Sequence, residues 1–178
     1  MIETARLVMR PWREADRADF ARLMNTPAMM AHMGGVQSAS AVDALFDKRM
    51  TDQARDGLCY WATEWRETGE LLGSCGLRVA RNYADTPVYG AVEAGWRVVE
   101  AWWRRGVARE AMQAALAWGW SNRDMPFVLT WTIAANHASL AVMRTLGFHR
   151  AADLDFVRPE TGEACLVHRL DRPARGRA

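Results

Sequence analysis

The segment from Trp102 to Ala111 has the clearest capacity for chemistry, because it places a glycine among three arginines. It joins the end of a predicted strand to the start of a predicted helix, where backbone N–H groups lack acceptors within the helix. Small side chains let an anion approach these groups closely, and arginines add charge-assisted hydrogen bonds. The segment therefore predicts a pyrophosphate site, although such a turn alone is as typical of a solvated helix start. The residues concerned are Arg104, Arg105, Gly106, Val107, Ala108 and Arg109.

The elements that would position this segment follow the order strand, two helices, three strands, helix, strand, helix and two strands. That order predicts an α/β (α+β) fold in a single domain over residues 1–170, with helices packed against a mixed sheet. Residues 171–178 are predicted to be a disordered tail. The predicted strands span residues 6–10, 59–65, 71–77, 88–98, 127–133, 151–157 and 164–170, and the predicted helices 14–24, 40–53, 106–120 and 139–146.

Composition excludes several classes of function. A formal net charge of +2 in 178 residues, without an aromatic and basic module, argues against a nucleic-acid partner. No apolar run is long enough for a membrane helix, and the amino terminus lacks a signal-peptide pattern. The 3 cysteines are far apart, so we expect small buried groups in a reducing cytoplasm rather than disulfides. No set of His, Cys, Asp or Glu has metal-ligand spacing, so no metal is expected.

Several motifs in this order resemble the GNAT superfamily, and within it the RimJ/RimL-like branch. The resemblance covers roughly residues 3–170. The motifs that carry it are Thr4-Ala5-Arg6-Leu7-Val8-Met9-Arg10-Pro11-Trp12, Glu67-Thr68-Gly69-Glu70-Leu71-Leu72-Gly73, Cys75-Gly76-Leu77, the strand Glu93–Val98, the arginine and glycine segment, Asn136-His137-Ala138-Ser139, and Val142-Met143-Arg144-Thr145-Leu146-Gly147-Phe148.

The resemblance implies a mostly antiparallel, splayed sheet of about six to seven strands flanked by about four helices. Its fourth and fifth strands would part and admit acetyl-CoA. In such proteins the turn and helix start, here Arg104 through Arg109, bind the pyrophosphate. The pantetheine arm would contact the backbone of Trp96, Arg97 and Val98, and the side chain of Asn136. Ser139 would bind near the thiol or the arm.

This chain departs from the family pattern at two kinds of position. Trp103 stands where Gln or Arg is common, and Arg104 stands where the branch usually has glycine. The catalytic tyrosine of many relatives is replaced by Met143, and a glutamate base of some relatives by Trp131.

Acetyl transfer to an amine requires a base for the ammonium proton and a donor to the oxyanion. Glu93 is the best remaining base, because it lies on the strand beside the expected thioester. The alternative is a structural carboxylate, exposed or paired with Arg97. Ser139 could donate to the sulfur, or could simply cap a helix.

Three functions remain open from the sequence. The first is acetylation of a protein N-terminal amine, and the second is acetylation of a small amine such as an amino acid, polyamine or antibiotic. The third is a non-catalytic acetyl-CoA-binding module. The expected partners are acetyl-CoA and the amine acceptor, with a homodimer also conceivable, and neither nucleic acid nor membrane.

Overall fold

The strands form one mixed sheet in a computed structural model that describes residues 1–174. The strands run β1 (Ile2–Glu3), β2 (Leu7–Arg10), β3 (Tyr60–Trp65), β4 (Leu71–Val79), β5 (Val92–Val98), β6 (Phe127–Thr132), β7 (His149–Arg150), β8 (Phe156–Val157) and β9 (Ala164–Asp171). The helices are α1 (Arg17–Met24), α2 (Pro27–Met30), α3 (Ala39–Asp56), α4 (Val107–Asn122) and α5 (His137–Thr145). The order in the sheet is β1-β2-β3-β4-β5-β6-β9-β7, with β8 paired to β9. The α/β fold class and its mostly antiparallel layout are thus confirmed.

The sheet has a fork between its only parallel neighbours in the described chain, β5 and β6. These two strands share a single bridge, between Glu93 and Leu129. On its other side β5 stays paired with β4 over its whole length, from Val92 to Val98. The two strands therefore part beyond Glu93 and leave a wedge-shaped gap, as the resemblance implies. Five residues of strand give this gap a length of roughly 17 Å.

The two faces of β5 carry different chemistry. One parity packs into the hydrophobic core beneath α4, through Ala94, Trp96 and Val98. The other parity carries Glu93 and Arg97 to the opposite face, where α3 lies over Tyr60 of β3. Polar side chains of the sheet that point away from α4 therefore meet near the fork.

The predicted strand over residues 88–98 is shorter in the structure, because a loop occupies its first part. Gly90 has a φ of 81°, which ends an extended chain, and its N–H donates to the Ala80 carbonyl at 2.7 Å. The hairpin closes at Ala80 and Ala91, so that β5 begins at Val92. The extended run proposed for residues 151–157 is also mostly absent. There the Asp155 carboxylate accepts the Val167 N–H at 2.9 Å, which occupies a group that a longer strand would need.

The last described residues continue the sheet rather than leave it. Strand β9 reaches Asp171, and the Arg172 N–H donates to the Pro126 carbonyl at 2.9 Å. The tail proposed for residues 171–178 otherwise falls largely at 175–178, which lie outside the described residues. Within residues 1–174, none of the helices combines the length and apolarity needed to cross a bilayer.

Candidate active site

The turn before α4 presents a run of unused backbone donors. Gly106 precedes the helix with a φ of 79°, and Arg104 also adopts a left-handed conformation, with a φ of 58°. Among the described residues, the N–H groups from Arg104 to Arg109 meet no backbone or side-chain acceptor. The side chains of Arg104, Arg105 and Arg109 form no ion pair in this part of the chain. Free amides at a helix N-terminus with unpaired arginines around them fit a pyrophosphate.

The segment between β1 and β2 holds this turn in place. Glu110 of α4 accepts hydrogen bonds from Thr4 Oγ1 at 2.6 Å and from Arg6 Nε at 2.7 Å. Arg6 also donates through Nη1 to the Arg105 carbonyl at 3.2 Å. Glu110 thus anchors the helix start to the segment before β2, in addition to complementing the helix dipole. The sequence did not identify this role for Thr4 and Arg6.

Backbone groups on β5 face the gap at every second residue. The Val99 N–H donates to the Leu72 carbonyl at 2.8 Å, which fixes the alternation of the ladder between β4 and β5. In an antiparallel ladder the N–H and C=O of Arg97 then point to β4, whereas those of Trp96 and Val98 point to the gap. The indole N–H of Trp103 donates to the Val98 carbonyl, which agrees with this direction. Of the three backbone contacts proposed for a pantetheine arm, Trp96 and Val98 have the required orientation.

Asn136 and Ser139 lie beyond the end of β6. Because β5 and β6 run parallel, both residues lie at the same edge of the sheet as the arginine and glycine turn. The Asn136 Oδ1 accepts the Ser139 N–H at 3.1 Å and so caps α5. Among the described residues, neither the Asn136 Nδ2 nor the Ser139 Oγ is used in a hydrogen bond. The cap of this helix is therefore Asn136 rather than Ser139, and both remaining polar groups are available to a ligand.

Glu93 lies at the closed end of the gap, where β5 and β6 meet. It is buried, with 8% of its surface exposed, and its Oε2 binds Arg78 of β4 through Nε at 2.7 Å and Nη2 at 2.6 Å. Its Oε1 has no partner in the described part of the chain. The ion-pair partner is thus Arg78, directly opposite on β4, rather than Arg97 on the same strand. One carboxylate oxygen is fixed and the other remains able to accept a proton.

An aromatic ring and one more arginine lie beside this ion pair. Arg49 of α3 and Arg78 lie over the Tyr60 ring, with their Cζ atoms 4.5 Å and 5.1 Å from its centroid. The ring in turn covers Gly95, where an added Cβ would lie 2.4 Å from the Tyr60 Cζ. Burial raises the pKa of Tyr60 far above its usual range. Sequence patterns did not point to Tyr60, Arg49 or Arg78, because only the strand register and the packing of α3 bring them together.

The positions where the two familiar catalytic groups are missing have other roles. Met143 is 1% exposed and belongs to the core. Trp131 packs edge-on against Tyr83 and Phe156, at ring-centroid distances of 6.3 Å and 5.6 Å. A cavity of about 490 Å³ opens on the Glu93 face of the sheet, but at the far end of β5, and Glu93 does not line it. In residues 1–174, no cluster of His, Cys, Asp and Glu could hold a metal ion.

Known proteins resemble this chain in sequence and in fold. The family described as acetyltransferase (GNAT) domain matches residues 6–149. YkkB of Bacillus subtilis (strain 168) is 27% identical over 147 residues, which cover 82% of this chain and 83% of YkkB. The crystal structure of an acetyltransferase from Agrobacterium tumefaciens str. C58 superposes with a TM-score of 0.81 at 25% identity, over 95% of this chain and 92% of that one.

More distant structures share the fold and differ in their acceptors. A spermidine N-acetyltransferase from Vibrio cholerae, in complex with CoA and spermine, has a TM-score of 0.70 at 14% identity, over 95% of this chain and 97% of that one. An acetyltransferase from Salmonella typhimurium modifies the N-terminal serine of ribosomal protein L7/L12. It has a TM-score of 0.76 at 14% identity, over 94% of this chain and 96% of that one. At this identity the likeness shows the fold alone.

Proposed function

This chain belongs to the GNAT acetyltransferase family and is an acetyl-CoA-dependent N-acetyltransferase, and we propose that its acceptor is the amine of a protein N-terminus, attacked directly in a ternary complex. The fork supports acetyl transfer from acetyl-CoA, because it has a run of free amides at its open end and a buried carboxylate at its closed end. The pyrophosphate of acetyl-CoA lies on the N–H groups of residues 104–109. Backbone groups of Trp96 and Val98, with Asn136 Nδ2, hold the pantetheine arm.

The chemistry uses Glu93 as the base. Its Oε1 takes a proton from the acceptor ammonium, directly or through one water. The neutral nitrogen then attacks the thioester carbonyl, and a backbone N–H in the gap stabilises the oxyanion. The carbon–sulfur bond breaks as the amide forms, CoA leaves as a thiolate, and the remaining excess proton of the attacking nitrogen passes to that thiolate or to water. Ser139 Oγ can donate to that sulfur, although the thiolate is a good enough leaving group without it.

The N-terminal acceptor rests on the RimJ/RimL-like motifs at residues 4–12 and 67–77, one of which anchors the pyrophosphate turn. A small amine is the second candidate, because a spermidine enzyme shares the same fold. Both can be tested with the purified chain, acetyl-CoA, a panel of peptides and a panel of small amines. We expect thiol release with peptides at lower concentration than with any small amine. Preferential turnover of a small amine would reject the N-terminal acceptor, and turnover of no amine would favour a non-catalytic binding module.

The cysteines do not interfere with such an assay. All three, Cys59, Cys75 and Cys165, are buried. Burial raises the pKa of Cys59 and of Cys75 to about 12, so few thiolates are present near neutral pH. Released CoA is then the main reactive thiol in the mixture.

Trp103 should report on cofactor binding, because its indole occupies the Val98 carbonyl that faces the gap. We expect acetyl-CoA to displace this hydrogen bond and to change the tryptophan fluorescence of the chain. In Trp103→Phe most of that change should disappear, whereas the other tryptophans are retained. Calorimetry should show affinity for acetyl-CoA rising by about 0.5–1.5 kcal/mol, the typical net value of one hydrogen bond. An identical fluorescence change in both proteins, with equal affinity, would contradict this role.

A further inference from the structure

The cluster beside Glu93 has an excess of positive charge. Three guanidinium groups, those of Arg49, Arg78 and Arg97, interact with one another around Tyr60. A single carboxylate, that of Glu93, balances them, and it binds Arg78. In the described part of the chain, the side chains of Arg49 and Arg97 form no ion pair and no hydrogen bond.

Arg49 is the most unusual member of this cluster. It is only 4% exposed, and its Nε and Nη1 are buried without an acceptor among the described residues. The carboxylate three positions along its own helix, that of Asp52, is already bound to Lys48 and Arg55. Buried charges are normally paired, and a buried polar group without a partner requires an explanation.

Neither helix packing nor the ring explains these free donors. The Tyr60 ring attracts the cation through its face, which leaves the in-plane N–H groups of Arg49 unused. The Oη of Tyr60 is buried and is also without a partner in residues 1–174. Burial, together with the charges of Arg78 and Arg97, lowers the pKa of Arg49 to about 10, and burial and Arg78 lower that of Arg97 to about 10. An anion between these groups would relieve both effects.

We infer that Arg49, Arg97 and Tyr60 form a site for a carboxylate of the acceptor, held close to its reacting amine. Each guanidinium offers a planar fork that matches the two oxygens of a carboxylate. Glu93 and Arg97 lie on the same face of β5, four residues apart, and the Tyr60 ring covers Gly95 midway between them. A carboxylate held at Tyr60 therefore binds about one strand repeat, roughly 7 Å, from the proposed base. The inference rests on the proposed function and specifies its substrate as an amine with a carboxylate a few bonds away.

Two sources can supply this chemistry, a protein N-terminus that begins with an acidic residue or a free amino acid. We would compare Asp-Ala-Ala-Ala with Asn-Ala-Ala-Ala, both amidated at the carboxyl terminus, and alanine with alaninamide. The acidic peptide should have a KM about tenfold or more below that of its amide isostere. A preference for alanine over alaninamide, with equal peptides, would support the carboxylate site and assign it to a free amino acid. Equal KM values within both pairs would overturn the inference.

Arg49→Met is the decisive variant, because it removes a buried charge that has no partner. We expect the preference for the carboxylate to fall by about tenfold and Tm to rise by roughly 2–4 °C. Arg13→Met is the matched control, since Arg13 is exposed and its side chain forms no ion pair in residues 1–174; it should keep the preference. If Arg49→Met does not fold, Arg97→Met tests the same loss of carboxylate preference, because Arg97 is less buried.

A binding measurement separates this inference from the proposed function. Without acetyl-CoA, the Asp peptide should raise the Tm of the wild-type chain more than the Asn peptide does, and Arg49→Met should abolish the difference. If the chain releases no thiol with any amine but shows this Tm difference, the proposed activity is rejected and the carboxylate site is retained. A chain that turns over both peptides equally, without the Tm difference, would keep the activity and lose the site.

Discussion

Replacing Glu93 by glutamine is expected to lower kcat by roughly 10²–10⁴-fold, the usual contribution of a general base. The amide keeps the shape of the side chain but cannot take a proton from the acceptor ammonium. The affinity for acetyl-CoA should change little, because the pyrophosphate turn lies at the other end of the gap. The deficit should shrink as pH rises, since an amine that is already neutral needs no base. Initial rates from pH 6 to 10, with calorimetry for acetyl-CoA, would measure both effects.

The ion pair with Arg78 requires a control for stability. Glu93→Gln leaves Arg78 buried without its counter-charge, and breaking one side of a buried pair typically costs 3–5 kcal/mol. Arg78→Gln breaks the same pair and leaves the carboxylate in place. If Glu93 is the base, Arg78→Gln should lose comparable stability but much less kcat. Equal turnover in both variants, with stability lowered, would make Glu93 a structural residue.

Gly106→Asp should weaken acetyl-CoA binding by several kcal/mol. Its carboxylate would lie beside the free amides proposed to receive the pyrophosphate, and two unit charges about 4 Å apart near a protein surface repel by roughly 4 kcal/mol. The Arg6 Nη2 lies 3.5 Å from the position of the added Cβ and already binds Glu110, so it offsets only part of this repulsion. Calorimetry with acetyl-CoA would measure the loss directly.

Gly106→Asn separates charge from backbone conformation. Gly106 has a φ of 79°, and asparagine tolerates the left-handed region better than most residues. It has nearly the same volume as aspartate but no charge, so its loss of affinity should be about 1 kcal/mol or less. Similar losses in the two variants would mean that conformation rather than repulsion explains the effect. Unchanged affinity in Gly106→Asp would exclude this turn as the pyrophosphate site.

Local patterns were sufficient to predict the turn and helix start at α4, where we propose the anion site. The RimJ/RimL-like branch usually has glycine at the position of Arg104. The φ of 58° at Arg104 gives a physical reason for that preference. A left-handed conformation costs a non-glycine residue of the order of 1–2 kcal/mol. The chain tolerates this cost at a point where the arginine adds charge next to the free amides.

Contacts between distant strands could not be predicted in the same way. The sequence suggested Arg97 as the partner of Glu93, since both occupy the same parity of one strand. The real partner, Arg78, is selected by the register of β4 against β5, which places Arg78 opposite Glu93. Register depends on the loop of residues 81–90. The sequence also missed that β5 begins only at Val92. Arg49 reaches the cluster from a helix, more than forty positions before Glu93 in the sequence. No local pattern encodes that contact.

The fork makes β5 an edge strand in the middle of a sheet. Beyond Glu93 the inward N–H and C=O groups of Trp96 and Val98 have no neighbouring strand, as at the border of an ordinary sheet. Unpaired strand edges invite pairing with other chains, and proteins protect them with covering groups. Here the Trp103 indole covers one carbonyl, and in the proposed complex bound acetyl-CoA would cover the rest. We therefore expect the cosubstrate also to protect the protein from association, so that purification in its presence yields more monodisperse material.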